Sequence, residues 1–210
     1  MSDKIPWAGT ITGVQPRIRL TRSFDQSSHS YLGYVLRVDG TIGGEQREFV
    51  VAIGKAAQVK HAFRAGDQVS GESEPVEDAR TEVAELYKTA RLKLVNRPAT
   101  DASSPPPWLG VPPPDLEVYR ARGHRRLDPK TYDSKCGSCM WGAKMAVEIV
   151  IDQWDQSKVK WRVETFCYGP KSCSVYRPGA RRQVPGRKGM SYLEDDWVDE
   201  EATRHRGPDE

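Results

Sequence analysis

No stretch of this chain approaches the roughly 20 consecutive apolar residues that span a bilayer, so the sequence predicts no membrane-crossing helix. The amino end, Met1-Ser-Asp-Lys-Ile-Pro, also lacks the apolar run of a secretory signal, which sets the expectation of a reduced, cytoplasmic protein. There is no glycine-rich phosphate loop, no nucleophile elbow and no pairing of carboxylates suited to acid–base work. His29, His61, His124 and His205 are scattered and fall in no acid–base pattern. The expectation is therefore a protein that is not an enzyme. Internal repeats are absent, and the net charge of +3 is too small to name a partner.

Cysteine is scarce too, yet its placement is informative. The four cysteines fall as Cys136-Gly-Ser-Cys139, a gap of 27 residues, and Cys167-Tyr-Gly-Pro-Lys-Ser-Cys173. Two short pairs of thiolates are what one tetrahedral zinc ion needs, and an iron–sulfur cluster takes the same four ligands. Disulfides would need an oxidising compartment, and buried free thiols are the plain alternative. Nearby His124 is a further candidate ligand. Between the pairs, Val147, Ile149 and Ile151 alternate with Glu148 and Asp152. Val159, Trp161 and Val163 then alternate with Lys160, Arg162 and Glu164, so two strands are predicted around a turn at Asp155-Gln-Ser-Lys158. Knuckle, hairpin, knuckle resembles a zinc ribbon. The departure is the second pair, which is separated by five residues rather than two. The resemblance implies a structural Zn2+ held by Cys136, Cys139, Cys167 and Cys173.

Seven of the fifteen prolines lie between Pro98 and Pro114. Such runs favour extended polyproline II and cannot donate backbone hydrogen bonds, so a semi-rigid spacer is predicted, with Trp108 and Leu109 tacking it onto a neighbour. The resulting division is 5–97, a linker at 98–115, a cysteine module at 116–193 and an acidic tail at 194–210.

In the first part, alternation predicts strands over Gly9–Leu20, Tyr31–Val38, Arg47–Ile53, Gln68–Glu72 and Ala90–Val95, with a helix over Lys55–Phe63. Helical composition also suggests a short helix within Glu77–Lys88. Three strands, a helix, the turn Phe63-x2-Gly66-Asp67 and two more strands resembles the OB-fold, a five-stranded Greek-key barrel. The fold class expected is thus mainly β, an OB-fold barrel plus a small zinc-ribbon-like hairpin domain. That resemblance implies a binder of single-stranded DNA or RNA.

Phase in the strands places Val14, Ile18 and Leu20 inward and Arg17 and Arg19 outward, with Tyr31 and Arg37 opposite the apolar residues of their strand. Outward arginines beside an aromatic would neutralise phosphate and stack on a base. The segment Arg177–Lys188 adds five cations, Arg177, Arg181, Arg182, Arg187 and Lys188, and no acid, in a glycine- and proline-rich arm suited to phosphate contact. The candidate nucleic-acid contacts are therefore Arg17, Arg19, Tyr31, Arg37, Arg181, Arg182, Arg187 and Lys188. Six carboxylates crowd Glu194–Glu201 and could fold back on that arm. Competing readings are a protein-interaction subunit of a larger complex and an iron–sulfur protein.

Overall fold

A computed structural model describes residues 4–23, 26–99 and 110–210. The chain is mainly β. Strands β1 (Ile5–Arg22), β2 (Ser27–Ile42) and β3 (Glu45–Gly54) form an antiparallel meander, followed by helix α1 (Lys55–His61), β4 (Gln68–Pro75) and β5 (Leu86–Asn96). β5 pairs antiparallel with β4 and parallel with β3 at Val51↔Leu86, while β4 pairs back onto β1 over Ile5–Thr10. Five strands thus close into a ring in the order β1-β2-β3-β5-β4. All five predicted strands are present, each longer than its apolar alternation.

Local chemistry sets the joints of this ring. The αL residue Ala62 ends α1 and its N–H donates to Gln58 O at 2.7 Å. The Gly66-Asp67 turn that follows is held by Asp67, buried at 1% exposure, which accepts Arg97 Nε at 2.8 Å and Nη2 at 2.7 Å. That bidentate pair ties the end of β5 to the start of β4. Inside, Trp7, Ile11, Leu36, Phe49, Val51 and Phe63 are nearly inaccessible.

Two expectations fail here for identifiable reasons. β1 and β2 slip register between Arg17 and Ile18, where Arg17 opposes Gly33 (φ +147°) and Ile18 opposes Tyr31. The bulge at Leu32 turns Tyr31 to the same side as buried Ile18, so Tyr31 packs on the core instead of facing outward. The segment predicted to be helical within Glu77–Lys88 is turn and loop up to Glu85. Its Ala84 is buried against Val35 and Ala52, with Val83 packed on the same cluster, so tertiary burial overrides helical composition.

Beyond the spacer, α2 (Leu116–Arg122), β6 (Arg125–Arg126) and α3 (Pro129–Thr131) lead into a π-type turn, Tyr132–Cys136. β7 (Gly142–Val150) and β8 (Val159–Cys167) form the expected antiparallel hairpin. β9 (Gln183–Pro185), a 3₁₀ turn at Arg187–Gly189, β10 (Ser191–Leu193) and α4 (Trp197–Thr203) complete the chain. β7 joins β1 in parallel, Arg19–Arg22 against Ala146–Ile149, so hairpin and ring share one sheet. Leu116, Tyr119, Met145, Val147 and Phe166 belong to the same core cluster as the ring residues. The spacer's far end is docked as well: Tyr34 Oη donates to Pro114 O at 2.9 Å and Arg64 Nη1 to Gly110 O at 2.7 Å. Trp108 and Leu109 lie outside the described residues.

In β8 the expected phase is reversed at Val163 and Glu164. Val163 is 45% exposed, and Glu164 is 5% exposed. Its carboxylate accepts Arg22 Nη2 at 3.2 Å and Arg162 Nε at 2.5 Å, and forms an ion pair with Arg182 Nη1 at 2.9 Å. Three guanidiniums make burial of the charge tolerable where alternation alone predicts a solvated glutamate.

Candidate metal and nucleic-acid sites

Both cysteine pairs come to one end of the β7–β8 hairpin, because Gly142, just after the first pair, lies opposite Cys167. The first pair forms a tight turn, with Cys139 N–H donating to Cys136 O at 3.1 Å and Gly142 N–H to Cys139 O at 3.0 Å. Sulfur atoms receive backbone donors: Gly169 N–H reaches Cys167 Sγ at 3.3 Å, and the N–H groups of Trp141 and Gly142 favour the Cys139 thiolate. β1 supports the turn from beneath. Gln15, which the strand phase sends outward, is buried at 4% exposure and donates through Nε2 to Cys139 O at 2.8 Å and Cys136 O at 2.9 Å. Its Oε1 accepts Tyr132 Oη at 2.6 Å. Gly13 permits this approach, since a Cβ there would stand 2.8 Å from Ser138 Cα.

All four thiols are free of disulfides. Burial, then the neighbouring Cys167 and Cys173, push the Cys136 thiol up to about 11. Burial pushes Cys139 up to about 12, with Cys167 and Cys136 adding to the rise against the backbone donors. Cys167 is raised mainly by burial, with Cys173 contributing. Each thiolate therefore feels the others. Among the described residues, however, no three or more His, Cys, Asp and Glu side chains stand close enough to bind a metal as placed. His124 is engaged elsewhere, with its ring 4.8 Å from that of His29 and 4.5 Å from that of Phe166.

The second cysteine pair is enclosed by arginines. Arg122 Nε donates to Tyr168 O at 2.8 Å, Arg125 Nη2 to Pro170 O at 2.9 Å, and Arg206 Nη1 to Tyr168 O at 3.1 Å and Gly169 O at 3.0 Å. The Arg125 guanidinium works against the rise of the Cys167 pKa. Arg206 is 6% exposed, and burial with repulsion from Arg122 and Arg125 lowers its pKa to about 10. Its Nε and Nη2, and Arg125 Nε, are buried without a partner. Cations so packed need a compensating anion, and four thiolates on a divalent ion would carry a net charge of about −2. The donor set and the orphaned guanidinium atoms thus fit a metal–thiolate centre. No sequence pattern points to Arg206, which the C-terminal fold alone brings to this place.

The predicted nucleic-acid contacts on the ring are brought together less well. Arg17 is paired with Glu82. Arg19 donates to Thr81 O at 3.3 Å and lies 5.5 Å from the Trp161 ring centroid. Arg37 pairs with Glu48 at 2.6 Å and donates to Gly137 O at 3.2 Å. Tyr31 is capped by the Arg120 guanidinium at 4.8 Å, and burial raises its pKa. In the arm, Arg182 is largely buried against Glu164 and lies 4.2 Å from the Phe166 ring centroid, and Arg181 pairs with Asp196 at 2.9 Å. The acidic tail does fold back, for Asp196 and Asp199 also bind Arg126, the latter at 2.9 Å. Arg187 bonds Asp152 at 3.3 Å, and Lys188 is exposed with no ion pair among the described residues.

At the opposite end of the hairpin from the cysteines, Trp154 is 77% exposed in the turn between β7 and β8. Sequence reading passed it over, although it is the one large apolar residue in the polar run Asp152-Gln-Trp-Asp-Gln. No protein-family model, curated protein or solved structure matches this chain.

Proposed function

We propose that this protein binds single-stranded nucleic acid without catalysing a reaction, and that Cys136, Cys139, Cys167 and Cys173 hold a structural zinc ion. The observation that carries the binding reading is the ring order β1-β2-β3-β5-β4 closed by parallel β3–β5 pairing, which is the strand order of an OB-fold barrel. The hairpin flanked by cysteine pairs supports a zinc-ribbon-like module in the same sheet. When bound, the ion supplies a cross-link between the two ends of that hairpin. The chain's own residues do the rest: Gln15 fixes the first turn, while Arg122, Arg125 and Arg206 fix the second and offset the thiolate charge.

One purified sample tests both parts. Elemental analysis should find zinc, and a labelled single-stranded oligonucleotide should bind with an affinity that falls by roughly 0.7 log unit per neutralised phosphate for each tenfold rise in salt. A duplex of the same sequence should bind more weakly, since its bases are unavailable for stacking. Absence of salt-dependent binding overturns the nucleic-acid reading. A brown sample with sulfide and iron would replace zinc by a cluster.

A further inference from the structure

Arg17 and Arg37 are held in internal ion pairs, and Arg19 lies against Thr81 O and the Trp161 ring, so these three are poorly placed to take a nucleic-acid strand. Resting on the nucleic-acid reading above, we infer that its contact surface is the groove between the β7–β8 hairpin tip and the 186–190 turn, where a base stacks on Trp154 and the backbone crosses Lys160 and Lys188.

The groove has a volume of about 470 Å³ and is lined by Lys160 and Lys188 with Ile151, Pro185 and Met190. Neither lysine has a carboxylate partner among the described residues, unlike Arg17, Arg37 and Arg181. The two sides of the groove are tied together. Arg187 Nε reaches Asp152 Oδ2 at 3.3 Å, and Gly186 N–H donates to Met190 O at 2.6 Å, so the cations are presented by a held turn. Trp154 N–H donates to Oδ1 of that same Asp152 at 3.1 Å, which places the exposed indole on the tip that Arg187 clasps. Met190, which lines the groove, is 62% exposed.

Charge alone would suit an acidic peptide as well as a nucleic acid. The aromatic favours the latter, because a flat indole beside unpaired lysines matches a ligand that carries both periodic negative charge and unstacked planar faces. A duplex offers the charge without the faces. Trp154 at the hairpin tip and Met190 in the groove both leave large apolar side chains exposed, at 77% and 62%.

Binding of a labelled oligothymidylate to the full-length, metal-loaded protein tests the assignment, using Trp154→Ala and the double variant Lys160→Gln/Lys188→Gln, with Lys88→Gln on β5 as control. Trp154→Ala should raise Kd by roughly five- to a hundred-fold, the loss of one stacked base. The double variant should flatten the slope of log affinity on log salt by about 1.4. Near-ultraviolet circular dichroism establishes that each variant is folded, and Trp154→Phe, which keeps a stacking ring, should recover most of the affinity. If wild type binds and both variants bind equally well, this surface is wrong while the nucleic-acid reading stands. If wild type binds no oligonucleotide, that reading fails and takes this surface with it. If polyglutamate binds wild type more tightly than oligothymidylate and is lost in both variants, the groove docks an acidic protein and the occupant assigned here is overturned.

Discussion

The two halves of this sheet are stabilised by different physics. The ring encloses an aliphatic and aromatic core with Leu36, Val38, Val51 and Phe63 at or below 1% exposure, and its polar ties, such as Asp67 with Arg97, sit at the joints. The cysteine half has aliphatic and aromatic residues in the same core but adds buried charge: Glu164 among Arg22, Arg162 and Arg182, Arg126 with Asp196 and Asp199, and arginines around Cys167. Apolar burial is insensitive to pH and metal, whereas compensated charge holds only while every partner is present. The cysteine half is therefore the part that a single chemical change can open.

The largest difference should come from the metal centre. If the proposed zinc is bound, Cys139→Ser or a chelator removes binding energy that is folding energy. The expected outcome is loss of hydrogen-exchange protection in β8 and the Arg206–Tyr168 contact region, with β2 and β3 still protected. Uniform loss across both halves would show that the shared sheet makes them one cooperative unit, which the β1–β7 pairing would then explain.

Next comes the buried carboxylate. Glu164→Gln keeps the shape but leaves Arg182 short of its anion and Arg22, whose side chain is 6% exposed, with Glu194 alone. Removing one partner of a buried ionic group costs about 3–5 kcal/mol, readable as a lowered denaturant midpoint. The adjacent Val163→Ser, at a 45% exposed site, should stay within about 0.5 kcal/mol and serves as the control. Equal effects at the two positions would restore the phase that simple alternation predicts.

That neighbouring pair also shows what was legible in the sequence. Strands and hairpin could be read because alternating apolar residues report a half-buried sheet wherever one face is uniformly apolar. Reading stopped where a third body intervened. The bulge at Leu32 reverses the face of Tyr31, Ala84 is drawn out of a helix by Val35 and Ala52, and Glu164 is admitted inside by arginines from β1 and from the arm. The convergence of the two cysteine pairs was legible because a hairpin between them brings its own two ends together. Their arginine surround was not, since Arg122, Arg125 and Arg206 meet only after the C-terminal segment crosses the second pair, where Ser172 N–H donates to Pro208 O at 2.8 Å.

The smallest predicted effect is an acid weakness confined to the seam between the halves. His29 of β2 and His124 lie ring against ring at 4.8 Å. Burial and then the Arg22 charge lower His29 from 6.5 to about 4, and burial, His29, Arg182 and Arg22 hold His124 well below its ordinary value. Because the folded-state values are depressed, the unfolded chain takes up protons first as pH falls below about 6.5, and stability drains until the folded state protonates near the lowered value. For His29 the shift of about 2.5 units is worth about 3 kcal/mol at full extent. Paired carboxylates such as Asp196, held below the usual range by Arg126 and Arg181, titrate beneath this window and do not obscure it. Denaturant midpoints measured from pH 7 to 4.5 should therefore fall for wild type and fall less for His29→Gln. A slope that His29→Gln leaves unchanged would mean that the histidine pair is hydrated in solution and that the seam between ring and hairpin is open to water.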